Sequence, residues 1–172
     1  FCFFLLMLLQ SCNSKSQSTK NTSIFQPPTP EEMHANEVQR EMDSKKMDEE
    51  LRIVRNLEEG MTLAKEENKP IALIFTGFAV VNSRKLEQFL ILENEEIFSL
   101  LKNHYINVWL YVDKRGGDGE KWTDLQKTKF KGDYQPQVFI LDPSGNEVDG
   151  GFGYDRAKEE FLPLLRKYAE VK

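Results

Sequence analysis

The sequence predicts an α/β domain in which a central mixed β-sheet carries helices on both faces. Three observations predict it. Two short runs, "IALIFT" (Ile71 to Thr76) and "YINVWLYV" (Tyr105 to Val112), are apolar on both alternations, as strands covered on both sides are. Helical patterns precede, separate and follow these runs, so the two strands are joined by crossovers, which are right-handed when the strands are parallel. "QVFILD", "DPSGN" and "EVDG" read as a strand, a turn with Pro and Gly suitably placed, and a short antiparallel partner. The order is α, β, α, β, α, β, β, α.

The first residues are an apolar run from Phe1 to Leu9, followed by Gln10, Ser11 and Cys12. A bilayer span takes about 20 apolar residues, so this run fits the hydrophobic region of a secretory signal instead. The sequence begins at Phe and shows no basic stretch ahead of the run, which suggests a start inside that signal. "LQSC" resembles the lipobox of bacterial lipoproteins. That resemblance implies residues 1–12 as a signal and Cys12 as the lipidated first residue of the mature chain, held to a membrane by its acyl chains at the cell envelope. The alternative is a hydrophobic terminus with an incidental Cys. Cys2 and Cys12 are the only cysteines of the sequence, so a chain processed in this way carries no free thiol and stands on its core alone, although an exported compartment permits disulfides.

Residues 13–30 are Ser, Thr, Asn, Gln and Lys closing in "PPTP", the composition of a flexible linker. Residues 31–55 are dense in charges of both signs, with Met47, Leu51 and Val54 at helical spacing, and predict a solvated helical extension. The compact domain is expected over 56–172. Asn56 with Glu59 offers a capping box for a helix that stops before Pro70. "SRKLEQFLIL" places Leu86, Phe89 and Leu90 on one helical face, and "NEEIFSLLKN" does the same with Ile97, Phe98, Leu100 and Leu101 after an Asn94 cap. Beyond the loop "DKRGGDGEKW", Thr123 with Gln126 looks like a second capping box, for a helix reaching about Lys131. Leu164, Leu165 and Tyr168 mark a closing helix that Pro163 should start or kink.

Several classes of function find no support. A net charge of −5 and a pI near 5.2, with no Lys/Arg cluster, lack the footprint that phosphate neutralisation needs, so nucleic acid is not expected as a partner. No Cys/His cluster has metal-ligand spacing, so neither metal nor cofactor is expected. "RGGDG" lacks the Lys-Ser/Thr continuation of a phosphate loop. His34 lies in the charged extension and His104 at a helix end, leaving little ground for a Ser/His hydrolase.

One stretch stands apart. "TGFAVVNSRKLE" (Thr76 to Glu87) hands a strand to a helix, and together with "YQPQVFILD" and the element order it resembles a thioredoxin fold. The likeness is nearest to the C-terminal periplasmic domain of DsbD-type thiol:disulfide interchange proteins and related thioredoxin-like lipoproteins. It covers about Asn56 to Tyr168, through "EEGM", "AKEENKP", "LYVD", "KW", "LQ" and "QP" in the right sequence. In that family the turn reads "TG-x-x-C-V-N-C-R-K-M-E". Residue by residue, the first Cys falls on Val80 and the second on Ser83, while Val81, Asn82, Arg84, Lys85 and Glu87 keep the family's types. Both sulfurs are missing.

Thiol exchange needs a thiolate, which a helix N-terminus favours by lowering the Cys pKa. Valine has nothing to ionise, and Ser83 forms no disulfide and has no base beside it in sequence; a helix cap is its simplest role. The resemblance further implies a cis Gln135–Pro136 bond beside the turn, with neighbouring backbone that pairs with an extended peptide. A trans proline opening the next strand is the alternative. Phe78 is expected to line a groove, Trp109 and Trp122 the core. The expected function is an exported thioredoxin-like lipoprotein without the redox pair, binding a protein or extended peptide around Phe78, Val80, Val81, Ser83, Gln135 and Pro136. Two alternatives are a thiol-disulfide oxidoreductase whose cysteines are substituted in this sequence, and a structural lipoprotein subunit that docks through its charged helix.

Overall fold

The computed structural model describes residues 29–114 and 117–169. The expected signal, Cys2, Cys12 and nearly all of the expected linker lie outside the described residues. The sheet has four strands: β1 (Ile71–Thr76), β2 (Ile106–Tyr111), β3 (Gln137–Leu141) and β4 (Glu147–Phe152), in the order β2-β1-β3-β4. β1 runs parallel to β2 and antiparallel to β3, and β3 pairs antiparallel with β4. The first three strands are buried along their whole length, as runs apolar on both alternations require.

Each face of the sheet has its own core. On one, Leu73, Phe75, Val108, Leu110 and Phe139 pack beneath α2 (Leu57–Glu67) and α5 (Gly119–Thr128), through Leu57, Ala64 and Trp122. The α2 backbone comes very close to a strand side chain there: a Cβ on Gly60 of α2 would lie 2.2 Å from Val108 Cγ2. On the other, Ala72, Ile74, Trp109, Val138 and Ile140 meet α1 (Pro30–Glu50), the segment Val81–Leu92, α4 (Glu95–His104) and α6 (Tyr154–Ala169). Trp109 and Trp122 are both core residues, 1% and 3% exposed.

Local signals place several boundaries. The Asn56 side chain accepts from Glu59 N at 3.1 Å and that of Asn94 from Ile97 N at 3.1 Å, each satisfying an orphan amide of a first turn. α1 starts with a capping box between Thr29 and Glu32, with Pro30 in its first turn.

Other expectations are corrected. Met47 and Leu51 belong to α1 and its cap and are buried in the core, but Val54 is not helical: the chain turns at Arg52 (φ +50), and Val54 bridges Val108 in parallel. Val54 N donates to Asn107 O and Trp109 N donates to Val54 O, so Val54 satisfies the open edge of β2. Of Leu86, Phe89 and Leu90, expected on one face, Leu86 and Leu90 pack on the core and Phe89 does not. After the short α3 (Val81–Lys85), the helix widens to a π-helix over Leu86–Leu92, and bonding from i to i+5 rotates Leu86, Glu87 and Ile91 inward while Phe89 is 49% exposed.

Thr123 caps nothing. α5 begins at Gly119, and the Thr123 hydroxyl donates to Val112 O and Gly119 O from inside the helix, which ends at Thr128. Of the two alternatives for Pro163, starting α6 is ruled out: the proline lies inside the helix, nine residues beyond Tyr154. Burial of Ala157, Phe161, Leu164 and Leu165 on one face outweighs the cost of about 3 kcal/mol for an interior proline.

Candidate functional site at the turn after the first strand

The turn Gly77–Val80 leaves the C-terminal end of β1 and enters α3 with Val80 as its N-cap residue. Val80 offers no oxygen to cap with, and the open amides of the turn find partners elsewhere. Asp113, just past β2, takes two of them: Oδ1 accepts from Phe78 N and Oδ2 from Ala79 N, each at 2.9 Å. A third goes to Ser83, whose Oγ accepts from Gly77 N at 3.2 Å. Ser83 is fully buried and lies within α3, so it fastens the turn from below and is not the helix cap expected.

Beneath the turn lies a buried ionic network. Glu87, 5% exposed, receives the Thr76 hydroxyl on Oε1 at 3.1 Å and pairs with Arg84 through Nη1–Oε2 at 2.7 Å. Arg84 Nη2 reaches the same carboxylate at 2.9 Å and the Gly77 carbonyl at 3.2 Å. One guanidinium therefore ties the carboxylate to the turn backbone. Burial pushes the Glu87 carboxyl up to about 7, against the opposing pull of Arg84 and the Thr76 hydroxyl.

The aromatic part is a stack. Phe78 lies parallel to Tyr111, with centroids 3.8 Å apart and planes 7° from parallel. The Arg55 guanidinium is 4.6 Å from the Tyr111 centroid, too near for an in-plane approach, and Phe78 fills one face, so Arg55 covers the other. Arg55 is in turn paired with Asp48 of α1. Arg84 stands 5.9 Å from the Tyr111 centroid and 6.0 Å from that of Phe78; being equidistant from two stacked rings, it flanks their edges and lies over neither face. Burial, followed by the Glu87 charge, raises the Tyr111 phenol pKa. A cleft of about 240 Å³ opens beside the stack, between Ser44 and Asp48 of α1 and Lys114, Asp118 and Trp122.

The Gln135–Pro136 peptide is cis. Since Phe75 pairs with Gln137, Pro136 comes level with the end of β1, where the turn departs. Buried Gln126 secures this loop: its Nε2 donates to Tyr134 O at 2.9 Å and Gln137 Oε1 at 2.8 Å, and its Oε1 accepts from Gln135 Nε2 at 3.0 Å. Pro136 is itself buried and Gln135 half-buried, whereas Phe78 and Val81 are 55% and 67% exposed and Val80 is half-buried. Of the residues expected at the site, Phe78 and Val81 therefore present side chains to solvent, while Ser83 and Pro136 lie beneath the surface.

Chemically, the turn has a buried hydroxyl already engaged with an amide, and Val80 and Val81 bring no ionisable group to it. His34 and His104 are exposed, on α1 and at the end of α4. Among the described residues no group of three His, Cys, Asp or Glu side chains is placed to hold a metal, and no helix is long and apolar enough to cross a membrane. Sequence reasoning did not single out Asp113, Tyr111, Arg55 or Gln126 as parts of the site. An acid directly after a covered strand was the available signal for Asp113; the stack joins residues that are distant in sequence and left none.

The fold is shared with a thioredoxin from Thermus thermophilus: 21% identity over 63% of this chain and 80% of that one, with a TM-score of 0.51. Similar structures also include thioredoxin NaTrxh from Nicotiana alata (16% identity, 67% and 90% coverage, TM-score 0.49) and a disulphide isomerase from Xylella fastidiosa Temecula1 (19%, 64% and 77%, TM-score 0.44). The first of these establishes the architecture: the chain has the thioredoxin fold. No family model and no curated protein matches it in sequence.

Proposed function

We propose that this chain is a thioredoxin-like lipoprotein of the bacterial envelope, exported, anchored through Cys12, and binding a protein or extended peptide at a turn that does not exchange disulfides. The observation that carries the reading is the pairing at the turn: Val80 and buried Ser83 stand at the two positions that matter for thiol chemistry in the DsbD-type likeness, while Phe78 and Val81 are presented to solvent on a firmly held backbone. Thiol-disulfide exchange needs a thiolate as attacking group, and neither side chain supplies one. Protein recognition needs an ordered, partly apolar surface, and two exposed apolar side chains on a pinned turn provide that.

Two measurements test it together. The folded chain should reduce insulin no faster than the dithiol reductant alone, and turnover well above that background would contradict the reading. In capture from native envelope extract, Val81→Asp should lose the proteins that the unmodified chain retains; equal capture would remove the turn from the interface.

A further inference from the structure

The stack at the turn has an open end. Arg55 covers one face of Tyr111 and Phe78 the other, so the next layer belongs on the outer face of Phe78, a residue 55% exposed. We propose that this outer face is the recognition point for a flat, uncharged side chain, an aromatic ring carried by the partner segment; this rests on the reading that the turn binds protein.

Three features carry it. Offset stacking on a ring already fixed by a second ring costs little ordering, because Phe78 is held from behind by Tyr111 and through its backbone N–H by Asp113. The alternative flat group is a guanidinium, and the charges around the stack do not invite one. Both Asp113 oxygens accept turn amides, Glu87 holds Arg84, and Asp48 holds Arg55. Arg84 flanks the rings with a positive charge of its own. The cleft beside them is lined by two carboxylates, Asp48 and Asp118, and two cations, Arg55 and Lys114, and so has no net sign to attract a cation. A branched aliphatic side chain is the remaining candidate, and it forfeits the parallel contact that a planar face offers.

The test uses the whole folded chain with capped pentapeptides bearing tryptophan, leucine or arginine between flanking glycines, read by NMR. The tryptophan peptide should bind about three- to tenfold tighter than the leucine peptide and shift the Phe78 and Tyr111 ring resonances by its ring current. Phe78→Leu, which keeps an apolar group but removes the plane, should abolish that preference; Phe78→Trp should retain it. Equal binding of tryptophan and leucine, tighter binding of arginine, or a preference that survives Phe78→Leu would overturn the inference. Capture lost with Val81→Asp but no tryptophan preference would sink this inference and leave the protein-binding reading intact. A tryptophan preference without any captured protein would support the side-chain site and sink the wider reading.

Discussion

The two faces of the sheet solve the same problem with different chemistry. Under α2 and α5 the core is apolar and aromatic: Phe75, Phe130 and Phe139 meet at 4.8–6.1 Å between centroids, in edge-on and tilted arrangements. Under α1, the π-helical segment, α4 and α6, the core also takes in the Glu87 carboxyl with Arg84 at its margin, the Asn107 amide, and Trp109, whose Nε1 has no hydrogen-bond partner among the described residues. The turn with Phe78 stands on this second face. Burying a carboxylate beside its guanidinium is rarely the most stable arrangement of a core. Its presence directly beneath the turn fits a role in holding backbone geometry there, and the apolar face supplies the stability that permits it.

Substitutions on either face put that contrast to the test. The largest effect is expected on the apolar face, where Phe75→Ala or Phe139→Ala should cost about 3–5 kcal/mol in urea unfolding. The ring-current signature of the Phe78–Tyr111 stack should be unchanged in any molecules that remain folded.

On the polar face the effect should depend on pH. The Glu87 carboxyl titrates near 7 in the folded chain against an ordinary 4.5. Between those values the folded state holds the extra proton, so stability from this group is fully present below about 4.5 and declines as pH rises to 7. The span corresponds to a loss of up to about 3 kcal/mol. Glu87→Gln should flatten unfolding free energy across this window, and an unchanged slope would assign the pH dependence to other groups.

Smaller effects are expected where single polar side chains secure loops. Gln126→Ala strands the partners it holds at Tyr134, Gln135 and Gln137 and should cost about 1–3 kcal/mol, read by denaturant midpoint. Asp113→Asn keeps one acceptor in place of a charged pair of acceptors and should cost about 1 kcal/mol. Faster hydrogen exchange of the Phe78 and Ala79 amides is the specific readout. Smallest of all, Glu96→Ala removes an exposed, solvent-screened pair with Arg166 and should leave the denaturant midpoint almost unchanged.

Much of the frame was legible in the sequence because its signals are local. Runs apolar on both alternations, Asn caps at 56 and 94, and a Pro/Gly turn each act within a few residues. The features that local signals miss depend on contacts across the fold. "TDLQ" has the letters of a capping box, but Gln126 turns away to hold the loop before β3 and the helix starts four residues earlier than Thr123. Val54 fits the helical spacing of Met47 and Leu51, yet β2 has an open edge that draws it out. A π-helix has no simple sequence mark, and the ordinary 3.6 period over Leu86–Leu92 puts Phe89 inside and Glu87 outside, the reverse of what the structure shows. The site followed the same division. The turn and its exposed Phe78 could be read in order along the chain, whereas the stack and the acid beneath it are assembled from α1, β2 and the turn.

Partner contact at the exposed turn is a proposal, and it makes Phe78 the expected point of contact. Photo-crosslinking in native envelopes tests it most directly, with p-benzoylphenylalanine replacing Phe78 in one preparation and Val148, an exposed residue of β4, in another. Discrete protein adducts are expected from position 78 and not from position 148. Adducts of the same kind and yield from both positions, or from 148 alone, would contradict it.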